Sequence, residues 1–172
     1  MKKKVLLFGI ITAIFVAIAA LVISTAVGNS DSGSDKEETS KLGKSGDNTV
    51  AYLNKDATVD EIERTDGIVN IYMFWGNGCP HCKNQWEILE GLRKEYPNDF
   101  RVYGFEVWNN SANLQLLHTF LDAMGEDVNA VPYTIIGDKS HTGTMKEKDI
   151  VDAIKEYKDK KVDVYFDKVK NK

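Results

Sequence analysis

Three regimes of hydrophobic patterning follow one another along the chain. Val5 to Val27 is an apolar run of 23 residues without a charge. Gly28 to Asn48 is rich in Ser, Gly and charge, and Leu42 is its only large apolar residue. From Thr49 onward, strand-like apolar blocks alternate with helical stripes. Thr58 followed by Glu61 has the spacing of a capping box and predicts a short helix that Gly67 ends. Ile68 to Trp75 (IVNIYMFW) is nearly continuous apolar sequence, as expected of a strand buried on both faces, and Gly76 and Gly78 break it. A helix is expected from Cys79 to Tyr96, with Trp86, Leu89, Leu92 and Tyr96 on one stripe and Pro97 as its stop. Phe100 to Trp108 predicts a second strand. Ala112 to Met124 predicts a second amphipathic helix, with Leu114, Leu117, Leu121 and Met124 inward and Gly125 ending it. PYTIIGDKSHTGT reads as a hairpin around Gly137 and Asp138. Thr144 and Glu147 form a further capping box for a last helix with Ile150, Ile154 and Tyr157 inward. The tail from Val162 fits strand or helix equally. The order α-β-α-β-α-β-β-α predicts an α/β fold: a mixed central sheet with helices on both faces.

The first two regimes set the expected domain organisation. A helix over residues 5–27 spans about 35 Å, enough for a bilayer core of roughly 30 Å. Lys2, Lys3 and Lys4 precede it, so residues 1–4 are expected on the cytoplasmic side and the rest outside. Small residues at Ser24 and Ala26 also suit a signal peptide cleaved after Ala26, but signal cores run about 7–15 residues, and the longer run favours a retained anchor. No cysteine lies near the end of the run, which excludes a lipoprotein anchor. Residues 28–48 cannot bury enough apolar surface to offset their chain entropy and read as a flexible linker. Residues 49–172 remain as the folded domain, and no internal repeat is visible.

Composition adds one exclusion. The 172 residues carry 22 Lys+Arg against 26 Asp+Glu, a net charge of −4, so no basic excess points to nucleic acid.

The chemistry concentrates in WGNGCPHCKNQWEILE, which holds both cysteines of the chain, Cys79 and Cys82. Four readings compete. A structural disulfide closing so short a loop gives only about 2 kcal/mol by the chain-entropy model. A zinc site asks for four ligands, and only His81, His118 and His141 are present, without paired spacing. His118 is expected at the edge of a helix's core stripe and His141 in a solvated hairpin. Covalent haem requires histidine after the second cysteine, where Lys83 stands. A redox dithiol suits the spacing. At the open end of a helix, unpaired N–H groups and the helix dipole favour a Cys79 thiolate. Pro80 fits the first helical position, where its missing N–H costs nothing. Cys82 lies one turn on and can resolve a mixed disulfide. A protonated His81 favours the Cys79 thiolate further and makes the disulfide more oxidising.

These elements, IYMFW, then CPHC opening a helix, then VPYTIIGD some fifty residues later, resemble the thioredoxin-fold proteins over about Ala57 to Tyr157. The resemblance implies that Pro132 is preceded by a cis bond and faces the dithiol, that Val131 offers backbone groups to an extended substrate, and that Trp75 helps form the substrate rim. Trp86 reads as core, and Trp108 as either. The Pro80-His81 pair and Val131-Pro132 resemble DsbA-type oxidants, whereas the short connection before Pro132 leaves no room for their inserted helical domain. The chain is closer in pattern to small, membrane-tethered bacterial thioredoxin-like proteins. One departure stands out: many relatives keep an acidic proton acceptor six positions before the first cysteine, and Met73 occupies that position. Glu106, inside the second strand, is a candidate substitute, with a solvated edge position as the alternative.

The expected function is that of an extracytoplasmic, single-pass thiol–disulfide oxidoreductase of the cell membrane, held by residues 5–27. It would exchange disulfides with exported proteins and be reset by a separate redox partner. The expectation includes a monomer, no cofactor beyond the Cys79–Cys82 pair, no metal and no nucleic acid. Alternatives are a thioredoxin-fold reductase for cytochrome maturation or repair, and a non-catalytic peptide-binding module of an exporter.

Overall fold

The computed structural model describes residues 52–172. The expected basic tip, anchor and linker lie outside these residues. Within them, no helix is long and apolar enough to cross a membrane.

The strands are β1 (Leu53–Asn54), β2 (Val69–Trp75), β3 (Phe100–Glu106), β4 (Tyr133–Ile136) and β5 (Lys139–Thr142). The helices are α1 (Pro80–Glu95), α2 (Ser111–Met124) and α3 (Glu147–Tyr157). The sheet runs β1-β3-β2-β4-β5. β1, β3 and β2 are parallel, whereas β4 pairs antiparallel with β2 and β5 with β4. This is a mixed sheet covered on both faces. Successive side chains of β2 divide between two cores, which explains its unbroken apolar sequence. Ile71 and Met73 join the core under α1 and α3. Tyr72 and Phe74 join the core under α2 and the tail.

The ends of the elements follow local chemistry. Asn110 caps α2 by accepting the N–H groups of Ala112 and Asn113, both at 3.1 Å. Gly125 closes α2 at φ 71°, the left-handed conformation that glycine tolerates best.

Several expectations are corrected. The first helix is one 3₁₀ turn, Val59–Glu61: the Glu61 carboxylate takes the Thr58 N–H at 2.7 Å, but Ile62 is already extended. β1 precedes it, too short for any periodicity to reveal. In α2 the buried residues are Leu117, Phe120 and Leu121, while Leu114 is exposed and Met124 only partly covered. Phe120, fully buried, stands on the inward face between Leu117 and Leu121. Tyr96 is half-buried at the end of α1. The capping box before α3 does not form; Lys146 precedes that helix without a side-chain cap, and the Thr144 hydroxyl donates to the His81 carbonyl at 3.1 Å.

The tail is helical. Its turn Tyr165–Val169 buries Tyr165 and Val169 against the α2 core, together with Val164. It is fastened by Asp163, which is buried and accepts the Tyr72 hydroxyl at 2.7 Å and the Asn70 amide at 2.8 Å. Burial pushes the Asp163 carboxyl up from its ordinary value, against the opposing pull of the hydrogen bonds from Tyr72 and Asn70.

Candidate functional site: a cysteine pair at a helix start

The site forms where β2 ends and α1 begins. Cys79 is the N-cap of α1, and Pro80 occupies the first turn. The Cys79 sulfur accepts the Cys82 N–H at 3.1 Å, so one of the helix's free donors already points at the atom that would carry thiolate charge. Cys79 and Cys82 are joined in a disulfide, with Cα atoms 5.2 Å apart. Cys82 is 1% exposed and Cys79 7%. Pro80 and His81 are exposed beside them.

The β4 end of the site meets this pair from the other side. The Val131–Pro132 bond is cis. The Val131 carbonyl oxygen lies 3.8 Å from the Cys79 sulfur, and Pro132 is buried. The structure therefore brings together Cys79, Cys82, Val131 and Pro132.

Trp75, at the end of β2, is half-buried, and its indole N–H donates to the Lys55 carbonyl at 2.8 Å. It stands edge-on to Trp86, with ring centres 6.5 Å apart. Trp86 is buried and lies against Gly104 of β3, where a Cβ would come within 2.5 Å of the indole. With Pro80, Cys82 and Lys83, the two tryptophans line an apolar cleft of about 530 Å³ beside the disulfide. Trp108 is exposed and stacks on Gly76, so its ring covers the loop that leads into Cys79.

Glu106 is half-buried at the end of β3. It accepts the backbone N–H groups of Asn109 at 2.9 Å, Trp108 at 3.0 Å and Asn77 at 3.2 Å. Burial pushes its carboxyl up, but these backbone donors outweigh that effect and hold it below the usual carboxylate range. Its oxygens thus bind the loop after β3 to the loop before Cys79. Met73, six positions before Cys79, is fully buried next to Thr134 of β4. His118 is exposed rather than at a buried edge, and His141 is exposed as expected.

Sequence reasoning missed Gln85. It is fully buried on α1, and its amide oxygen accepts the Met145 N–H at 2.6 Å. The signal was available, because Gln85, Leu89 and Leu92 share one helical face.

No family model matches the chain, and no curated protein does. Solved structures similar to it include an uncharacterized thioredoxin-like protein from Clostridium perfringens, 24% identical, covering 68% of this chain and 90% of that one, with a TM-score of 0.48. StoA from Bacillus subtilis is 17% identical, covering 52% and 84%, with a TM-score of 0.36. A DsbF homologue from Corynebacterium diphtheriae is 18% identical, covering 53% and 73%, with a TM-score of 0.37.

Proposed function

We propose that this protein is a thiol–disulfide oxidoreductase that uses Cys79 as its exchanging sulfur and Cys82 as its resolving one. The observation that carries the reading is the Cys79–Cys82 disulfide at the start of α1, with the Val131 carbonyl 3.8 Å from the Cys79 sulfur. A structural staple has no need of a helix terminus or of a facing backbone turn, whereas exchange chemistry uses both.

In the oxidising direction, a substrate thiolate attacks the Cys79 sulfur. The S–S bond breaks, Cys82 departs as thiolate and takes up a proton, and a mixed disulfide joins Cys79 to substrate. A second substrate thiolate attacks its own sulfur in that bond, and Cys79 leaves as thiolate. The substrate dithiol loses two electrons to the Cys79–Cys82 pair and its two protons to solvent; Cys82 takes one proton back, and Cys79 stays thiolate or takes the other. In the reducing direction, the Cys79 thiolate attacks a substrate disulfide, and Cys82 then attacks Cys79 to release the reduced substrate. The Cys82 N–H and the α1 terminus favour negative charge on Cys79, which makes it the better leaving group. Val131 and Pro132 hold an extended substrate beside it, and Trp75 borders the approach. In this reading Glu106 shapes the loop before Cys79 instead of taking a proton from Cys82.

The proposal extends to location. Residues 5–27 anchor the chain with its N-terminus cytoplasmic, and residues 28–48 tether an extracytoplasmic domain that acts on exported proteins as a monomer. No cofactor beyond the dithiol is invoked, and a separate redox partner resets the pair.

Paired assays test the chemistry: oxidation of a two-cysteine peptide by the disulfide form, and reduction of insulin by the dithiol form. Cys79→Ser is expected to abolish both, and Cys82→Ser to accumulate mixed disulfides on Cys79. Activity surviving in Cys79→Ser would refute the assignment. For location, protease added to intact cells is expected to release the domain by cutting within 28–48. A soluble mature protein beginning at Val27 would show a signal peptide instead.

A further inference from the structure

Residues 143–145, which connect β5 to α3, touch both halves of the site. The Gly143 N–H donates to the Pro132 carbonyl at 2.7 Å. The Thr144 hydroxyl donates to the His81 carbonyl, between the two cysteines, at 3.1 Å. The Met145 N–H donates to the Gln85 amide oxygen at 2.6 Å, one helical turn beyond Cys82. Three consecutive residues thus form a brace: one bond holds the turn that carries Val131, and two hold the helix that carries the cysteines.

Gln85 is the buried member of this brace, at 0% exposure. A leucine would fill the same space without a polar group to satisfy. The Gln85 amide nitrogen has no hydrogen-bond partner among the described residues, so the side chain carries an uncompensated burial cost. Only its oxygen has a use, and that use is the Met145 N–H. Met145 precedes Lys146, the N-cap of α3, so this bond does not serve to cap that helix.

We propose that Gln85 is a positioning residue for peptide capture, acting through Met145 and Gly143 to hold the Val131–Pro132 turn against Cys79. The inference rests on the exchange reading above. It follows from geometry that a substrate held by backbone groups of Val131 feels the placement of that turn, whereas a small reagent that meets only the sulfur does not. Loss of the brace therefore separates two kinds of substrate.

The experiment uses the full chain in its disulfide form and two probes. Dithiothreitol reduces the Cys79–Cys82 disulfide and becomes a cyclic disulfide. A peptide with two cysteine thiols does the same and becomes a peptide disulfide. Gln85→Leu removes the acceptor at nearly constant volume. It is expected to lower kcat/KM for the peptide about tenfold, through KM, as for loss of one well-placed hydrogen bond. The dithiothreitol rate is expected to stay within about twofold under the same argument. Gln85→Glu retains an oxygen facing Met145 and is expected to restore most of the peptide rate. Thr144→Val removes the partly exposed strut and is expected to show the same selective loss, about threefold; it serves where Gln85→Leu fails to fold.

Equal losses with both probes would overturn the inference, because the dithiol itself would have changed. Unchanged peptide kinetics in both Gln85→Leu and Thr144→Val would overturn it as well. A wild type that exchanges with dithiothreitol but with no peptide refutes the capture reading, and the inference falls with it. A wild type inert to both refutes the proposed function.

Discussion

Gly104→Ala is expected to destabilise the domain by about 2 kcal/mol. Gly104 lies in the middle of β3, paired with Met73 of β2. A Cβ there would stand 2.5 Å from Cζ2 and 2.7 Å from Cη2 of Trp86, and 2.9 Å from the Lys55 carbonyl oxygen. Neither neighbour yields easily. Trp86 is 4% exposed and walled by Trp75, and the Lys55 carbonyl also receives the Trp75 indole N–H at 2.8 Å. Forcing an extra carbon into a packed core costs about 1–3 kcal/mol, and a backbone atom among the neighbours places this case in the upper half. Alanine's smaller loss of backbone entropy on folding returns about 0.5–1 kcal/mol. A net of about 2 kcal/mol in a domain of about 120 residues corresponds to a melting shift near 8 °C. Urea unfolding followed by tryptophan fluorescence, with a thermal melt by circular dichroism, measures it. Trp86→Phe removes the clashing edge, so its cost in the Gly104→Ala background should be lower than in the parent by about 1 kcal/mol. A Gly104→Ala protein within about 2 °C of the parent would refute the reasoning. So would additive costs for the two changes, because the clash would then lie elsewhere.

Asp163→Ala leaves the fully buried Tyr72 hydroxyl without its acceptor, and should cost about 2–4 kcal/mol in urea unfolding. Tyr72→Phe in that background should then be nearly neutral, because the orphaned group is gone. Burial raises the Asp163 carboxyl, so its contribution to stability is fully present below the unfolded value near 4. That contribution is lost as pH rises through the higher folded value, and the stability difference between parent and Asp163→Asn measured across this range gives the sign. Glu156 behaves oppositely: hydrogen bonds from Lys139 and Lys160 lower its carboxyl to about 2. Its contribution is present above its unfolded value and lost as pH falls through about 2, and carboxyl chemical shifts followed in an acid titration report it. His81→Leu should make the pair more reducing in equilibrium with glutathione, and an unchanged ratio would assign the Cys79 thiolate to the helix terminus alone.

The sequence showed those parts of the fold where one pattern extends over many residues. β2 was legible because both its faces are buried, and α1 because Trp86, Leu89 and Leu92 repeat at helical spacing beneath a Cys-Pro start. The β4–β5 hairpin followed from Gly137, which adopts φ 64° at the turn. What stayed hidden depends on partners distant in sequence. β1 has two residues, and only its pairing with Val102 and Tyr103 makes it a strand. The order of residues around Thr144 fits a capping box, but the His81 carbonyl, brought near by the fold, competed for its hydroxyl. Glu106 stood out as an acid in an apolar strand, yet its role depends on Asn77, a residue of another loop. Asp163 was one acid among many in a charged tail until β2 supplied the Tyr72 hydroxyl.

That last contact has a consequence for the order in which the chain is made. The central strand is synthesised about ninety residues before the acid that satisfies it; Tyr72 and Asp163 are 91 positions apart. While a nascent chain ends before residue 163, β2 can pair with β3 and β4, but burying Tyr72 would strand its hydroxyl. The α2 face that later receives Tyr165 and Val169 also stays open to water or to a chaperone. That side of the domain lacks its cover until residues 163–169 are free to dock on it. A chain stalled or cleaved between Tyr157 and Asp163 keeps the cysteine loop and all five strands, yet lacks the clasp that completes the second core. Such a fragment should be exceptionally sensitive to proteolysis.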